Sequence, residues 1–278
     1  MLNAITIDVE EWFCVEAFRQ QFPMQAWARQ KTRIQTNIVH VVELLKEYDV
    51  KATFFILGWI ADKFPQIVEY LHSNGHEIGC HSYSHKLVYQ MTPQEFKEDT
   101  LKSIAAIRGE SNIPLIGYRA PTFSVKPEHD WVWESLAECG FKYDSSIFPI
   151  VHDLYGSKDA PRFAHEIQVS GGKSILEIPL STIRILGKNV GFGGGGYLRI
   201  FPYWFTNWAI KKLNAQGFPV VVYFHPWEID RNHPRLKAPI KSRLRHFTNL
   251  RTMEIKLKKL LEKFKFGPIK QVFKLEYT

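Results

Sequence analysis

Short apolar runs alternate with longer amphipathic ones along most of this chain. Seven of the apolar runs read as buried strands: Ala4–Asp8, Ala52–Leu57, Glu77–His81, Leu115–Arg119, Phe141–Asp144, Ile175–Leu180 and Val220–His225. Between them, helical spacing of apolar residues covers Asn37–Tyr48, Pro65–Ser73, Pro93–Arg108, Pro127–Cys139 and Pro202–Gln216. The punctuation agrees. Thr92-Pro93-Gln94-Glu95 offers an N-cap, a proline at the first helical position and a capping-box glutamate. Gly75, Gly140 and Gly217 each follow a helical run, where a left-handed C-cap is expected.

Strands interleaved with helices predict a parallel α/β architecture of about seven strands. The pattern alone does not separate a barrel from an open sheet. The polar residues Asp8, His81, Arg119, Asp144 and His225 favour a distorted (β/α) barrel, because each closes a strand at the end where barrels carry their chemistry. No internal repeat is present. The expected organisation is a barrel over residues 1–230 with a basic helical extension, 231–278, packed on it.

Composition narrows the class. With 45% hydrophobic and 23% charged residues over 278 positions, the chain is globular and long enough to bury a full core. Aromatics reach 14%, enough to supply stacking walls for a ligand as well as core. Three cysteines, Cys14, Cys80 and Cys139, make no disulfide framework and point to a reducing compartment. The first residues read as a strand rather than a signal peptide, and the longest apolar stretch, Thr53–Ala61, is too short to cross a bilayer. A cytoplasmic location is expected.

The net charge of +8 is unevenly placed: the segment from Arg231 onward carries +11, on a body of −3. Such a segment suits an anionic partner such as a lipid surface or a lipid-linked phosphate. Met253, Leu257, Leu260, Leu261 and Phe264 give its helix one docking stripe, so Lys256, Lys259 and Lys263 are expected to face outward, as ordinary solvated charges or as lipid contacts. No nucleic-acid-binding motif accompanies the charge.

Four segments look like chemistry. In Asp8-Val9-Glu10, both carboxylates fall on one face of an extended chain, where they can bind a cation, divide the work of base and ligand, or simply cap a helix. His81 and His85 can meet one metal if their segment makes a single helical turn, and two imidazoles with a carboxylate form a standard hydrolytic zinc set. In Gly117–Phe123, Arg119 can pair with a buried carboxylate while Pro121 stiffens the backbone after it. Val220–Pro226 delivers His225 to the same rim.

Taken together and in this order, these segments resemble the polysaccharide deacetylases of the NodB-homology family, carbohydrate esterase family 4. Tyr143–Ser146, Gly193–Arg199, the His225-Pro226-Trp227-Glu228 run and Arg245–Leu250 resemble the subfamily of exopolysaccharide (PEP-CTERM-associated) loci. The resemblance implies one divalent metal, zinc, held by Glu10, His81 and His85. It also implies Asp8 as general base with Arg119 beside it, His225 as general acid, and an oxyanion donor at the Thr122 N–H. Asp144 would orient a site residue. Tyr197 and Arg199 would ride on a glycine-rich flap, and Trp227, with Trp12, Phe123 and Trp131, would offer sugar-stacking rings. The implied reaction is removal of N-acetyl groups from an N-acetylhexosamine polysaccharide or its lipid-linked precursor. One departure is plain: the family's first motif has two adjacent aspartates, whereas Val9 follows Asp8 here and Glu10 takes the second place. A metal-free, allantoinase-like amidohydrolase and a non-catalytic carbohydrate-binding relative are the competing readings.

Overall fold

The first strand shows how the rest is built. In β1 (Leu2–Val9), Ala4, Thr6 and Asp8 point one way and Ile5, Ile7 and Val9 the other, and all six are buried. A strand buried on both faces belongs inside a parallel α/β sheet. The computed structural model describes residues 1–110, 112–152, 155–234 and 246–276. In chain order the strands are β1, β2 (Thr53–Ile56), β3 (Glu77–Cys80), β4 (Gly117–Tyr118), β5 (Tyr143–Asp144), β6 (His165–Val169), β7 (Lys173–Glu177), β8 (Thr182–Ile185), β9 (Lys188–Gly191), β10 (Val221–Phe224) and β11 (Lys265–Gly267). The helices are α1 (Ile34–Glu47), α2 (Gly58–Lys63), α3 (Pro65–Ser73), α4 (Pro93–Arg108), α5 (Asp130–Glu138), α6 (Gly195–Ile200), α7 (Tyr203–Ala215), α8 (Leu250–Lys263) and α9 (Ile269–Val272).

The main sheet runs β10-β1-β2-β3-β4-β5-β7-β6, parallel except for the β6–β7 hairpin. It curls into a barrel whose last seam is not a strand pair. Between β7 and β10 the Gly193 carbonyl accepts from the Tyr223 N–H (2.8 Å), and Ser181 Oγ accepts from the Val221 N–H (2.8 Å). A Cβ on Gly194 would sit 1.8 Å from the Tyr223 ring, so this glycine is required for the seam to close. The run Gly193–Gly196, expected as a flap, is therefore partly wall.

Two cores result. The larger lies between the sheet and the helices, and the smaller fills the lumen with Phe55, Tyr143, Phe148, Val221 and Tyr223. The lumen floor is polar and fully bonded: Glu77 accepts from Thr53 Oγ1 (2.6 Å), Tyr143 Oη (3.0 Å) and the Lys270 N–H (3.0 Å). Helix α9 thus plugs the barrel at its N-terminal end, and β11 pairs with the start of β1. The C-terminal segment, expected as an extension lying on the barrel, contributes a strand to the sheet and a stopper to the lumen.

Each of the seven expected strands has a counterpart, and the capping box at Thr92 is formed as read. Gly75, Gly140 and Gly217 all take positive φ after their helices. Lys256 differs from expectation. It is buried in the α8 stripe, and its ammonium donates to the carbonyls of Leu198 and Phe201 at the end of α6. Those carbonyls have no further turn of helix to bond, so a cation is favoured there. Lys259 and Lys263 are exposed as expected. Cys14, Cys80 and Cys139 form no disulfide. Among the described residues no helix is long and apolar enough to cross a membrane.

Candidate active site

Side-chain parity selects the residues that meet. Strand β1 turns Asp8 inward, and the parity of β3, β4 and β10 carries on to turn His81, Arg119 and His225 onto the same rim. Asp8, Glu10, His81, His85, Thr122 and His225 line one pocket at the C-terminal mouth of the barrel, with Phe123, Trp227 and Arg199 on its walls.

Arg119 is fully buried and every arm of it is used. Its Nη1 donates to Asp8 Oδ1 (2.7 Å) and Thr6 Oγ1 (2.8 Å), Nη2 to Ser145 Oγ (3.0 Å) and Nε to the Ser145 carbonyl (3.1 Å). A charge-assisted contact in so dry a place fixes the carboxylate's position and leaves Asp8 Oδ2 to the pocket.

Glu10, His81 and His85 bring ligand atoms within 4.8 Å of one another, all buried. The Arg119 carbonyl, 2.8 Å from His81 Nδ1, can only accept a hydrogen bond. The proton therefore sits on Nδ1, and Nε2 presents a lone pair. Burial lowers His81 to about 4, which keeps the ring neutral. Neutral imidazole with its second nitrogen bonded to a carbonyl is the state a metal ligand requires. His85 is brought in by a bend rather than the expected helical turn: Ser82 and His85 have φ of 61° and 53°, and Ser82 Oγ accepts from the His85 N–H (3.2 Å). Two imidazoles and a carboxylate fit a divalent ion such as zinc.

His225 lies between two carboxylates, with Nε2 3.2 Å from Glu10 Oε1 and Nδ1 3.3 Å from Glu228 Oε2. Burial by itself would lower its pKa, but Glu10 and Glu228 overcome this and carry it up to about 9. Burial likewise opposes ionisation of Glu10, and His85 and His225 overcome it, holding the carboxyl near 2. Glu228 is anchored by Arg199 Nε (2.7 Å), whose Nη1 donates to the carbonyls of His246 (2.7 Å) and Thr248 (3.0 Å). Trp227 stacks between His225 (5.1 Å between centroids) and His246 (4.3 Å). Glu228 and His246 were not expected in the site. The signal for Glu228 is present in His225-Pro226-Trp227-Glu228, a strand end followed by proline and then glutamate three residues on, and a capping box does form there.

Several expectations do not hold. Asp144 follows inward-facing Tyr143 in β5 and so points out of the lumen, where burial raises it to about 6. It acts at one remove, since Ser146 Oγ donates to it while accepting from the Ala120 N–H. Tyr197 does not line the pocket and packs on Phe148 (5.8 Å) and Phe201 instead. Trp12 belongs to the outer core, and Trp131 packs on Phe96. Glu11, next to Glu10 and given no role by the sequence reading, caps α1, accepting from the Arg33 and Ile34 N–H groups. Arg245 lies outside the described residues.

Comparison with known proteins agrees with this geometry. Residues 30–143 match the family described as polysaccharide deacetylase, and residues 145–274 match a domain of unknown function, DUF3473. A peptidoglycan-N-acetylglucosamine deacetylase of Bacillus cereus is 36% identical over 95 residues, covering 34% of this chain and 32% of the relative. A peptidoglycan deacetylase of Helicobacter pylori is 31% identical over 113 residues, covering 41% and 38%. The matched stretches thus span under two-fifths of either relative. In fold, a Mycobacterium smegmatis structure assigned to the polysaccharide deacetylases superposes with a TM-score of 0.60 at 21% identity, covering 98% of this chain and 88% of that one. A carbohydrate esterase family 4 pseudoenzyme of Bacillus anthracis gives 0.52 at 15% identity, covering 100% and 66%. The region that matches the polysaccharide deacetylase family thus holds His81, His85 and Arg119, the region that matches DUF3473 holds His225 and Glu228, and the barrel they build has the fold of these solved neighbours.

Proposed function

We propose that this chain is a metal-dependent hydrolase that removes N-acetyl groups from an N-acetylhexosamine-containing exopolysaccharide or its lipid-linked precursor. The observation that carries the reading is convergence: a carboxylate gripped by arginine, a two-imidazole, one-carboxylate set and a doubly paired histidine enter one pocket from four separate segments. Glu10, His81 and His85 would hold the ion, zinc by the donor set. When bound, such an ion polarises an acyl carbonyl and lowers the pKa of water.

The chain's own groups supply the proton traffic. Asp8, its Oδ1 fixed by Arg119, takes a proton from the attacking water at its other oxygen. Thr122, left-handed with φ of 54°, lines the pocket, and its N–H would be the donor to the developing oxyanion. His225, paired at Nδ1 with Glu228, gives its proton to the leaving amine. Of the rings expected to meet a sugar, Phe123 and Trp227 line the pocket, Trp227 with its faces taken by His225 and His246, and Tyr197 does not line it.

The test is acetate release from defined N-acetylglucosamine oligomers and lipid-linked sugars, with metal content measured on the same sample. Activity that vanishes on chelation and in His85→Ala, with the fold retained, supports the proposal. Full activity in a metal-free sample would establish the allantoinase-like alternative. Bound metal with sugar binding but no turnover on either substrate would establish the non-catalytic one.

A further inference from the structure

Helix α6 begins at the pocket, where Gly195, Gly196 and Arg199 are wall residues, and the chain then runs out to solvent. Ile200 is 51% exposed, Trp204 66% and Trp208 38%. Trp204 and Trp208 are one turn apart on α7 and share a face. Phe201 and Phe205 lie in contact beside them, with ring centroids 4.5 Å apart, and Phe205 touches both tryptophans. Nothing in the reaction uses this surface.

Its charge is mainly basic. Helix α7 carries Lys211 and Lys212 and no acidic residue, and the acidic side chain that acts on it is Glu262 of α8, near Tyr203 and away from the tryptophans. Lys212 Nζ lies 5.1 Å from the Trp208 ring centroid, and Lys259 Nζ lies 5.7 Å from that of Tyr203, whose hydroxyl ties α7 to α8 through the Lys259 carbonyl. Lys211 is exposed on the same helix. The partner must therefore accept aromatic rings and carry negative charge. A sugar strand fits poorly, because stacking needs a flat platform, and Trp204–Phe205 and Phe205–Trp208 are inclined at 86° and 40°. A second copy related by a two-fold axis would bring these lysines together. A bilayer interface takes tilted indole rings at headgroup depth and attracts lysines to anionic lipid.

We propose that the Ile200–Trp208 surface, flanked by Lys211, Lys212 and Lys259, docks the protein on an anionic lipid bilayer. Docking there sets the α6 wall of the pocket beside the membrane, where a lipid-linked sugar would be presented. That consequence rests on the function proposed above, whereas the docking itself does not.

Flotation of the full chain with phosphatidylglycerol–phosphatidylcholine vesicles and with phosphatidylcholine vesicles tests it. Binding is expected to the anionic vesicles alone, weakening with salt. The Trp204→Ala/Trp208→Ala variant should bind about tenfold or more weakly, because each ring removes a buried aromatic from the contact. Tryptophan emission of the wild type should be quenched by spin-labelled lipid, and that quenching should be lost in the variant. Acetate release from a soluble oligomer should be unchanged in the variant, so a wild type inactive on sugars but bound to vesicles would refute only the catalytic reading. Absence of vesicle binding, or binding equal in wild type and variant, overturns the docking. So does a variant whose defect is in oligosaccharide affinity or in self-association instead.

Discussion

His225 owes its charge to Glu10 and Glu228 acting against burial, and only Glu228 can be removed without touching the candidate ligand set. Glu228→Gln should lower the pKa of His225, so the alkaline limb of kcat/KM should move to lower pH than in wild type. A limb that stays in place would assign it to another group. Asp8→Asn should cut turnover about 100-fold or more while metal content stays the same, the usual worth of a general base. Normal turnover would make Asp8 structural. Away from the pocket, His76 accepts a hydrogen bond from the Ala52 N–H at Nδ1 (3.2 Å), which the protonated ring cannot do. Burial lowers its pKa from 6.5 to about 4. Between those values the unfolded chain binds more protons than the folded one, so this contribution is full above about 6.5 and is lost as pH falls toward about 4. His76→Gln, which keeps an acceptor, should flatten that part of the stability–pH curve, measured by urea unfolding at each pH. An unchanged slope would place the acid sensitivity in another group.

The legible elements are those whose local chemistry and burial agree. Apolar runs make the parallel strands, and their parity places Asp8, His81, Arg119 and His225 on one rim before any contact is known. Parity also explains the failure at Asp144, since strand end alone does not say which face a residue takes. The strands that stay hidden are β6, β8, β9 and β11. Strand β6 is half exposed, β11 has three residues, and the β8–β9 turn uses Leu186 at φ 47° before Gly187 at φ 78°. Those angles suit Asn-Gly, so leucine conceals the hairpin. Two element-scale outcomes follow. Thr92→Ala removes one half of the α4 capping box and should cost about 1 kcal/mol in chemical denaturation; no loss would mean α4 is held by packing alone. Lys256→Glu sets a carboxylate against the α6 carbonyls and should lower the melting temperature sharply, whereas Lys259→Glu should not. Equal effects of the two would contradict the buried position of Lys256.

At the scale of the molecule, the pocket belongs to no single sequence region. Asp8 and Glu10 precede residue 30, the imidazole pair and Arg119 lie within 30–143, and Arg199, His225 and Glu228 lie within 145–274. A ligand gripped by Glu10, His81 and His85 therefore ties the first strand to the third across the barrel mouth, and binding there is linked to folding. Binding to the folded state alone stabilises it by about 2.7 kcal/mol when free metal is 100 times its dissociation constant. Zinc added to chelated protein should raise the melting temperature, and the rise should be absent in His81→Ala and His85→Ala but kept in Asp8→Asn, whose carboxylate is outside the ligand set. This readout needs no substrate and so stands apart from catalysis. An equal rise in His85→Ala would place the stabilising ion elsewhere, and the three converging side chains would then be a hydrogen-bonded rim rather than a metal site.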